Sequence, residues 1–204
     1  MDYCGLYAEL KGWQGAIGSV LGFIALICGA LFNFHLNRRR DQQLRNEEVV
    51  AIASALYGEI VILRRSVARM ANAVGARYIR QGLYSDGAID KHFIEQFSLP
   101  APKLYAALAN KVGMLDSQLA LGVVLFYSRV EEVEIWLPRL QEDQERPFTY
   151  GVNYVLNPAI DAVIQVSSTL RVIEEMAGFV EKVETPNLEK AIEAQDCENM
   201  RNEA

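Results

Sequence analysis

The chain has 204 residues, of which 20 are Lys or Arg and 26 are Asp or Glu, for a net charge of −6. An acidic chain repels the phosphates that a nucleic-acid binder must neutralise, so no nucleic-acid partner is expected. Three cysteines are too few for a disulfide framework, and two histidines offer no metal site, which needs three or four convergent ligands.

In chain order, residues 1–12 read as a short extracytoplasmic tail and residues 13–37 as a transmembrane anchor. The 22 residues from Gly15 to Leu36 carry no charge. At about 1.5 Å per residue they cover roughly 33 Å, against a hydrocarbon core of about 30 Å. Trp13 marks the outer edge, where an indole gains from lying half in lipid and half in water. Asn33, His35 and Asn37 suit the opposite headgroup region. Arg38, Arg39 and Arg40 follow directly, then Arg45, all placed to meet anionic lipid. Positive charge beside a span stays in the cytoplasm, and Lys11 before the span is offset by Asp2 and Glu9. The expected topology is a single pass through the plasma (inner) membrane, N-terminus outside. A cleaved leader would place its basic residues before the apolar run, not after it.

Gly15, Gly18, Gly22, Ala25 and Gly29 recur at spacings of 3, 4, 3 and 4. Small residues on one face let helix backbones approach closely in lipid, so this stripe predicts association with a second copy. Cys4 falls outside the membrane, Cys28 within it and Cys197 in the cytosolic tail. No internal disulfide is therefore expected.

Residues 38–184 form one predicted cytosolic helical bundle. From 37 to 82 there are nine basic and four acidic residues; from 83 to 204 there are 10 and 20. Arg64, Arg65, Arg69, Arg77 and Arg80 are expected to face the acidic helices or water. Val49, Ala53, Leu56, Ile60, Leu63, Val67, Met70 and Val74 make a heptad seam, which Ile52 and Ile62 widen. The helix is expected to leave the membrane without a break. Ser85, Asp86 and Gly87 signal a loop. Asp90 caps a short helix with Phe93 and Phe97, stopped by Pro100 and Pro102. Lys103 to Leu115 predicts another short helix, presenting Leu104, Leu108, Val112 and Leu115.

Asp116 or Ser117 caps a long helix with the seam Leu119, Val123, Phe126, Val130, Val133, Leu137 and Leu140, ended near Pro138. After a connector, Asn157 and Pro158 predict a helix start. That helix runs to about Glu184 and presents Ala159, Val163, Val166, Leu170, Ile173, Ala177 and Val180. Residues 185–204 read as a polar tail that frays. The fold class is all-α: a transmembrane helix continuing into an up-and-down bundle.

Chemistry-bearing motifs are sparse. Glu131, Glu132 and Glu134, like Glu174 and Glu175, read as solvated acidic faces, and His35 and His92 have no second ligand in view. There is no phosphate-binding glycine loop and no nucleophile elbow. Ser167, Ser168 and Thr169 read as a polar spot. Glu59 is expected to pair with an arginine of a neighbouring helix, and Gly58 beside it to mark close helix packing. Phe148, Tyr150 and Tyr154 form a possible partner patch on the connector, or else plug the bundle end.

The span at Gly15–Leu36, the Arg38–Arg40 neck and the helix at Ala55–Ile60 resemble a broad group of uncharacterised bacterial single-pass membrane proteins with helical cytosolic domains. That resemblance implies the layout and no activity. The expected function is a non-enzymatic, cofactor-free, membrane-tethered interaction or regulatory module that binds lipid, itself and a protein partner. The alternative is a membrane-perturbing or pore-forming effector of a defence or toxin-like kind.

Overall fold

A computed structural model describes the backbone of residues 3–83, 89–141 and 151–203. The loop signal at Ser85, Asp86 and Gly87 falls outside the described residues, as do Phe148 and Tyr150 of the aromatic patch. The described regular structure is all helical: α1 (Tyr3–Leu83), α2 (Lys91–Gln96), α3 (Lys103–Leu108), a 3-10 turn (Ala109–Met114), α4 (Ser117–Trp136), a second 3-10 turn (Leu137–Leu140), α5 (Asn153–Ala177) and α6 (Glu189–Glu203).

The chain divides into two compact units, Met1–Glu48 and Val49–Ala204. In the first, the arginine-rich neck groups with the apolar stretch. Phe23, Leu26, Phe32 and Phe34 are all well exposed. An 18-residue window of α1 has mean hydropathy 1.9 and no residue buried, so this helix is long and apolar enough to cross a membrane.

The second unit is an up-and-down bundle. Contacts fix the direction of each leg. Arg77 lies over Phe93 and Glu59 meets Leu104, so the α2–α3 leg runs back along α1. Trp136 stacks on Tyr154 while Arg129 faces Asp161, which makes α4 and α5 antiparallel. Asn153 meets Asn199 and Asn157 meets Gln195, so α6 returns along α5. Helix starts follow the local chemistry. The Asp90 carboxylate accepts from Phe93 N at 2.8 Å, and that of Asp116 accepts from Gln118 N at 3.0 Å.

The seams form the core. From Ala53 to Val74 every seam residue of α1 is buried, as are all seven of the α4 segment. Ile62 departs from expectation. It is 62 % exposed and does not widen the buried face, whereas Ile52 does. Leu104 is likewise exposed.

Three boundaries differ from those expected. Helix α5 begins at Asn153 rather than at Pro158, which lies inside it. Val152, Val155 and Leu156 are fully buried, and their burial sustains an extra turn despite the missing proline N–H. The helix then ends at Ala177, because Gly178 takes φ +70°, a left-handed conformation that closes a helix and suits glycine. Val180, beyond that stop, is 96 % exposed rather than in the core. Finally, residues 188–203 do not form a loose tail. Helix α6 buries Leu188, Ala191 and Ala194 against the bundle.

Candidate functional site

Helix α1 carries a second stripe beside its apolar seam: Tyr57, Val61, Arg64, Ala68, Ala71, Gly75 and Tyr78. Its spacing is again 4, 3, 4, 3, 4, 3, and all seven side-chain positions are buried or half-buried. Arg64 is 1 % exposed. Its Nε donates to Val163 O at 2.8 Å, and its Nη2 donates to Ser167 Oγ and to Thr185 Oγ1. Glu174, also buried, accepts from Tyr57 Oη at 2.8 Å and from Val183 N at 3.1 Å. Burial pulls the Arg64 guanidinium below its ordinary range, opposed by the charge of Glu174. The Tyr57 hydroxyl is pushed up to about 12, first by burial and then by its bond to Glu174. Ser167 and Thr185 thus spend their hydroxyls on a structural cation, and the extended segment after α5 is held to α1.

Further along, Asn72 donates to Asn187 O at 2.7 Å and accepts from the backbone N–H of Lys190 and Ala191 at 3.1 Å. A side chain on Gly75 would overlap the backbone of Lys190, so glycine is what lets α6 seat there. Tyr78 donates to the buried Glu198. Sequence reading missed this stripe because it mixes polar and small residues. Its signal was the spacing alone.

Among the described residues Glu59 meets backbone and a tyrosine rather than an arginine. Its carboxylate accepts from Leu104 N at 2.7 Å, Tyr105 N at 2.8 Å and Tyr127 Oη at 2.8 Å. The first turn of α3 has Pro102 at its cap position, which offers no side-chain acceptor, and α1 supplies the missing carboxylate. Burial and Glu59 together push the Tyr127 hydroxyl far above the ordinary tyrosine range. Gly58 does not mark close packing either, since a Cβ there would meet nothing within 4 Å. The close approach lies at Gly122, where a Cβ would overlap the Thr169 hydroxyl and where α4 rests on α5.

Between α4 and α5 a groove of about 440 Å³ opens to solvent above the buried Leu119, Phe126, Ala162 and Val166. Leu121, Leu125 and Val172 form its exposed apolar rim, at 58, 47 and 49 % exposed. Arg129 bounds it, 3.0 Å from Glu132 and 3.6 Å from Asp161. Past that cluster, Tyr154 stacks on Trp136 with centroids 4.5 Å apart, and Arg139 lies over the indole. Tyr154, placed by the sequence in a partner patch, is 57 % exposed at this end of the same α4–α5 face.

The other anticipated positions belong to the first unit. Gly15, Gly18, Gly22, Ala25 and Gly29 are exposed along α1, and a Cβ added at any of the four glycines would meet nothing within 4 Å. Arg38, Arg39, Arg40 and Arg45 are exposed on the same helix. Among the described residues no group of three or more His, Cys, Asp or Glu side chains is placed to hold a metal ion. No protein-family model, curated protein or solved structure matches the chain.

Proposed function

We propose that this chain is a membrane-anchored helical interaction module without catalytic activity, and that the outer α4–α5 face is where it engages protein. The observation that carries the reading is the second stripe of α4. Gln118, Leu121, Leu125, Ser128, Glu132 and Ile135 repeat the 3, 4, 3, 4, 3 spacing of the buried seam on the solvent side. Three of these six are large and apolar, and such side chains clustered in the open mark a surface that something covers. Here Leu121, Val124, Leu125 and Ile135 stand open to solvent. Clustered apolar side chains with a polar margin are the mark of a protein-binding patch.

The anchor sets where that engagement happens. With Arg38, Arg39 and Arg40 held at the cytoplasmic surface, the bundle lies in the cytosol of a cell whose plasma membrane holds α1. The use of four partly or fully buried polar side chains supports the reading without catalysis. Arg64, Glu174, Glu59 and Asn72 all bond backbone or hydroxyl groups of neighbouring elements.

Two measurements test this reading. A reporter active only in the cytosol, fused at the C-terminus, is expected to be active in the membrane fraction, and silence in a well-expressed fusion would reverse the topology. Induced cells are expected to keep their membrane potential. Rapid depolarisation that disappears when Gly18 and Gly22 become Leu would replace the interaction reading with the pore-forming one.

A further inference from the structure

We infer that the α4–α5 groove takes a cationic amphipathic helix of another protein, with its apolar side on the groove floor and its basic side chains at the two ends. The inference rests on the reading of this face as a protein-binding surface and names the chemistry of what binds there. Shape and charge carry it together.

The shape is that of a seat for a third helix. The groove is lined from Gln118 to Arg129 on α4 and from Asp161 to Val172 on α5. Each run makes about three helical turns, roughly 17 Å. Leu119, Phe126, Ala162 and Val166 are buried beneath, while Leu121 and Leu125 on one bank and Val172 on the other stand exposed. An open apolar trough of this length between antiparallel helices suits an amphipathic helix, which inserts side chains at i, i+3, i+4 and i+7. Gln118, Gln165 and Ser168, exposed along the banks, add neutral hydrogen-bonding groups.

The charge says what that helix carries. Asp116 lies at the end where α4 starts, and Asp161 lies at the other end with Glu132 close by. Among the described residues Arg129 is the sole basic side chain of the lining, 3.0 Å from Glu132 and 3.6 Å from Asp161. One cation against three carboxylates leaves the face net acidic, with the acids at the ends and the apolar side chains between. Residues 83–204 add to that sign, with 20 acidic and 10 basic side chains. Such a surface attracts a cationic segment and repels an acidic one, another copy of this bundle included. Asp116 and Glu132 are about 24 Å apart along α4. A helix that meets both carries Lys or Arg in its first and last turns, where long stems reach past the apolar anchors.

The test uses the full chain in phosphatidylcholine nanodiscs and two fluorescent helical peptides of about 18 residues, or about five turns. Both place leucine at i, i+3, i+4 and i+7; the remaining positions are mostly lysine in one and mostly glutamate in the other. Empty nanodiscs give the lipid background. The lysine peptide is expected to bind at least about tenfold more tightly than the glutamate peptide. Asp116→Asn with Asp161→Asn is expected to weaken the lysine peptide by about tenfold at unchanged helical content, because Asn caps a helix as well as Asp does. Glu189→Gln with Glu193→Gln removes the same charge from α6 and is expected to weaken it by less than about twofold. Equal affinity for the two peptides, equal losses in the two double variants, or no binding above the lipid background overturns the inference.

A photo-crosslinking amino acid in place of Leu125, in the full chain in native membranes, separates this inference from the reading beneath it. A protein adduct is expected whose crosslinked segment, once sequenced, is an amphipathic helix with Lys or Arg at both ends. An adduct to a neutral or acidic segment, or to a second copy, overturns the inference and leaves the interaction reading standing. A chain that crosslinks to no protein at Leu125 overturns both.

Discussion

Two helices of this protein carry a second heptad stripe, and the two stripes meet opposite fates. The one on α1 runs through Tyr57, Arg64, Ala68, Ala71, Gly75 and Tyr78, and the chain covers it with its own segment from Val163 to Glu198. The one on α4 runs through Leu121, Leu125, Ser128 and Ile135, and stays open. The difference lies in side-chain chemistry rather than in spacing. Small residues let a backbone come close, and the polar ones supply partners for the carbonyls and N–H groups of a covering segment that is partly non-helical. Projecting leucines offer neither. They are covered by another apolar face or remain uncovered.

This contrast is easiest to break at Arg64. Replacing it with Ala removes a charge that favours Glu174 and leaves the buried Val163 O, the half-buried Ser167 and the exposed Thr185 without their donor. Arg64→Ala is expected to cost about 3–5 kcal/mol, read as a shift in the denaturant midpoint. A loss below about 1 kcal/mol would show that the covered stripe is no more committed than the open one. Glu59→Ala comes next. It strips the first turn of α3 of its acceptor, and the expected cost is about 1–2 kcal/mol in the same unfolding experiment.

The third effect depends on pH. The Tyr57 hydroxyl is raised to about 12 in the folded chain, against an unfolded value of about 10. Folding therefore favours its protonated form. That contribution is fully present below pH 10 and is lost as pH rises from there through 12. Thermal melts at pH 9 and pH 11.5 are expected to differ less for Tyr57→Phe than for the unaltered chain. Identical pH sensitivity in the two proteins would remove Tyr57 from the account. The smallest effect is expected on the open stripe. Leu121→Gln with Leu125→Gln is expected to change stability by no more than about 0.5 kcal/mol, although it removes two leucines. A large loss there would mean that the stripe is buried within a single copy.

The apolar seams were legible because burial on one helix face leaves a periodic trace. Every seam residue from Ala53 to Val74 and from Leu119 to Leu140 is where the spacing put it. Asp90 and Asp116 were legible as caps because the capping acceptor sits beside the helix that it starts. Glu59 and Asn72 cap helices far away in sequence, and no local pattern announces such a cap. Arg64 was expected to face acidic helices or water because guanidinium groups seldom enter a core without partners. Its partners, Val163 O, Ser167 and Thr185, come from a region about a hundred residues later. The end of α5 was placed at about Glu184 because the seam spacing continues to Val180, whereas the left-handed Gly178 stops the helix at Ala177. The docking of α6 was hidden by its composition. Alanines at 191 and 194 carry little hydrophobic signal, yet they fit where Gly75 leaves room.

That α1 lends its side chains to other helices has a consequence for the order of events in folding. Isolated helices shorter than about 12–15 residues are marginal in water, and α3 has six residues. The amides of Leu104 and Tyr105 are held by a carboxylate 45 and 46 positions earlier, and those of Lys190 and Ala191 by an amide oxygen 118 and 119 positions earlier. Neither short leg has a finished start until α1 has formed, whereas α1 needs neither of them to begin. During synthesis α1 emerges first, already templated, and α6 arrives last at a waiting acceptor. Amide exchange at Lys190 and Ala191 therefore times the docking of α6 onto α1, not the coiling of α6 itself.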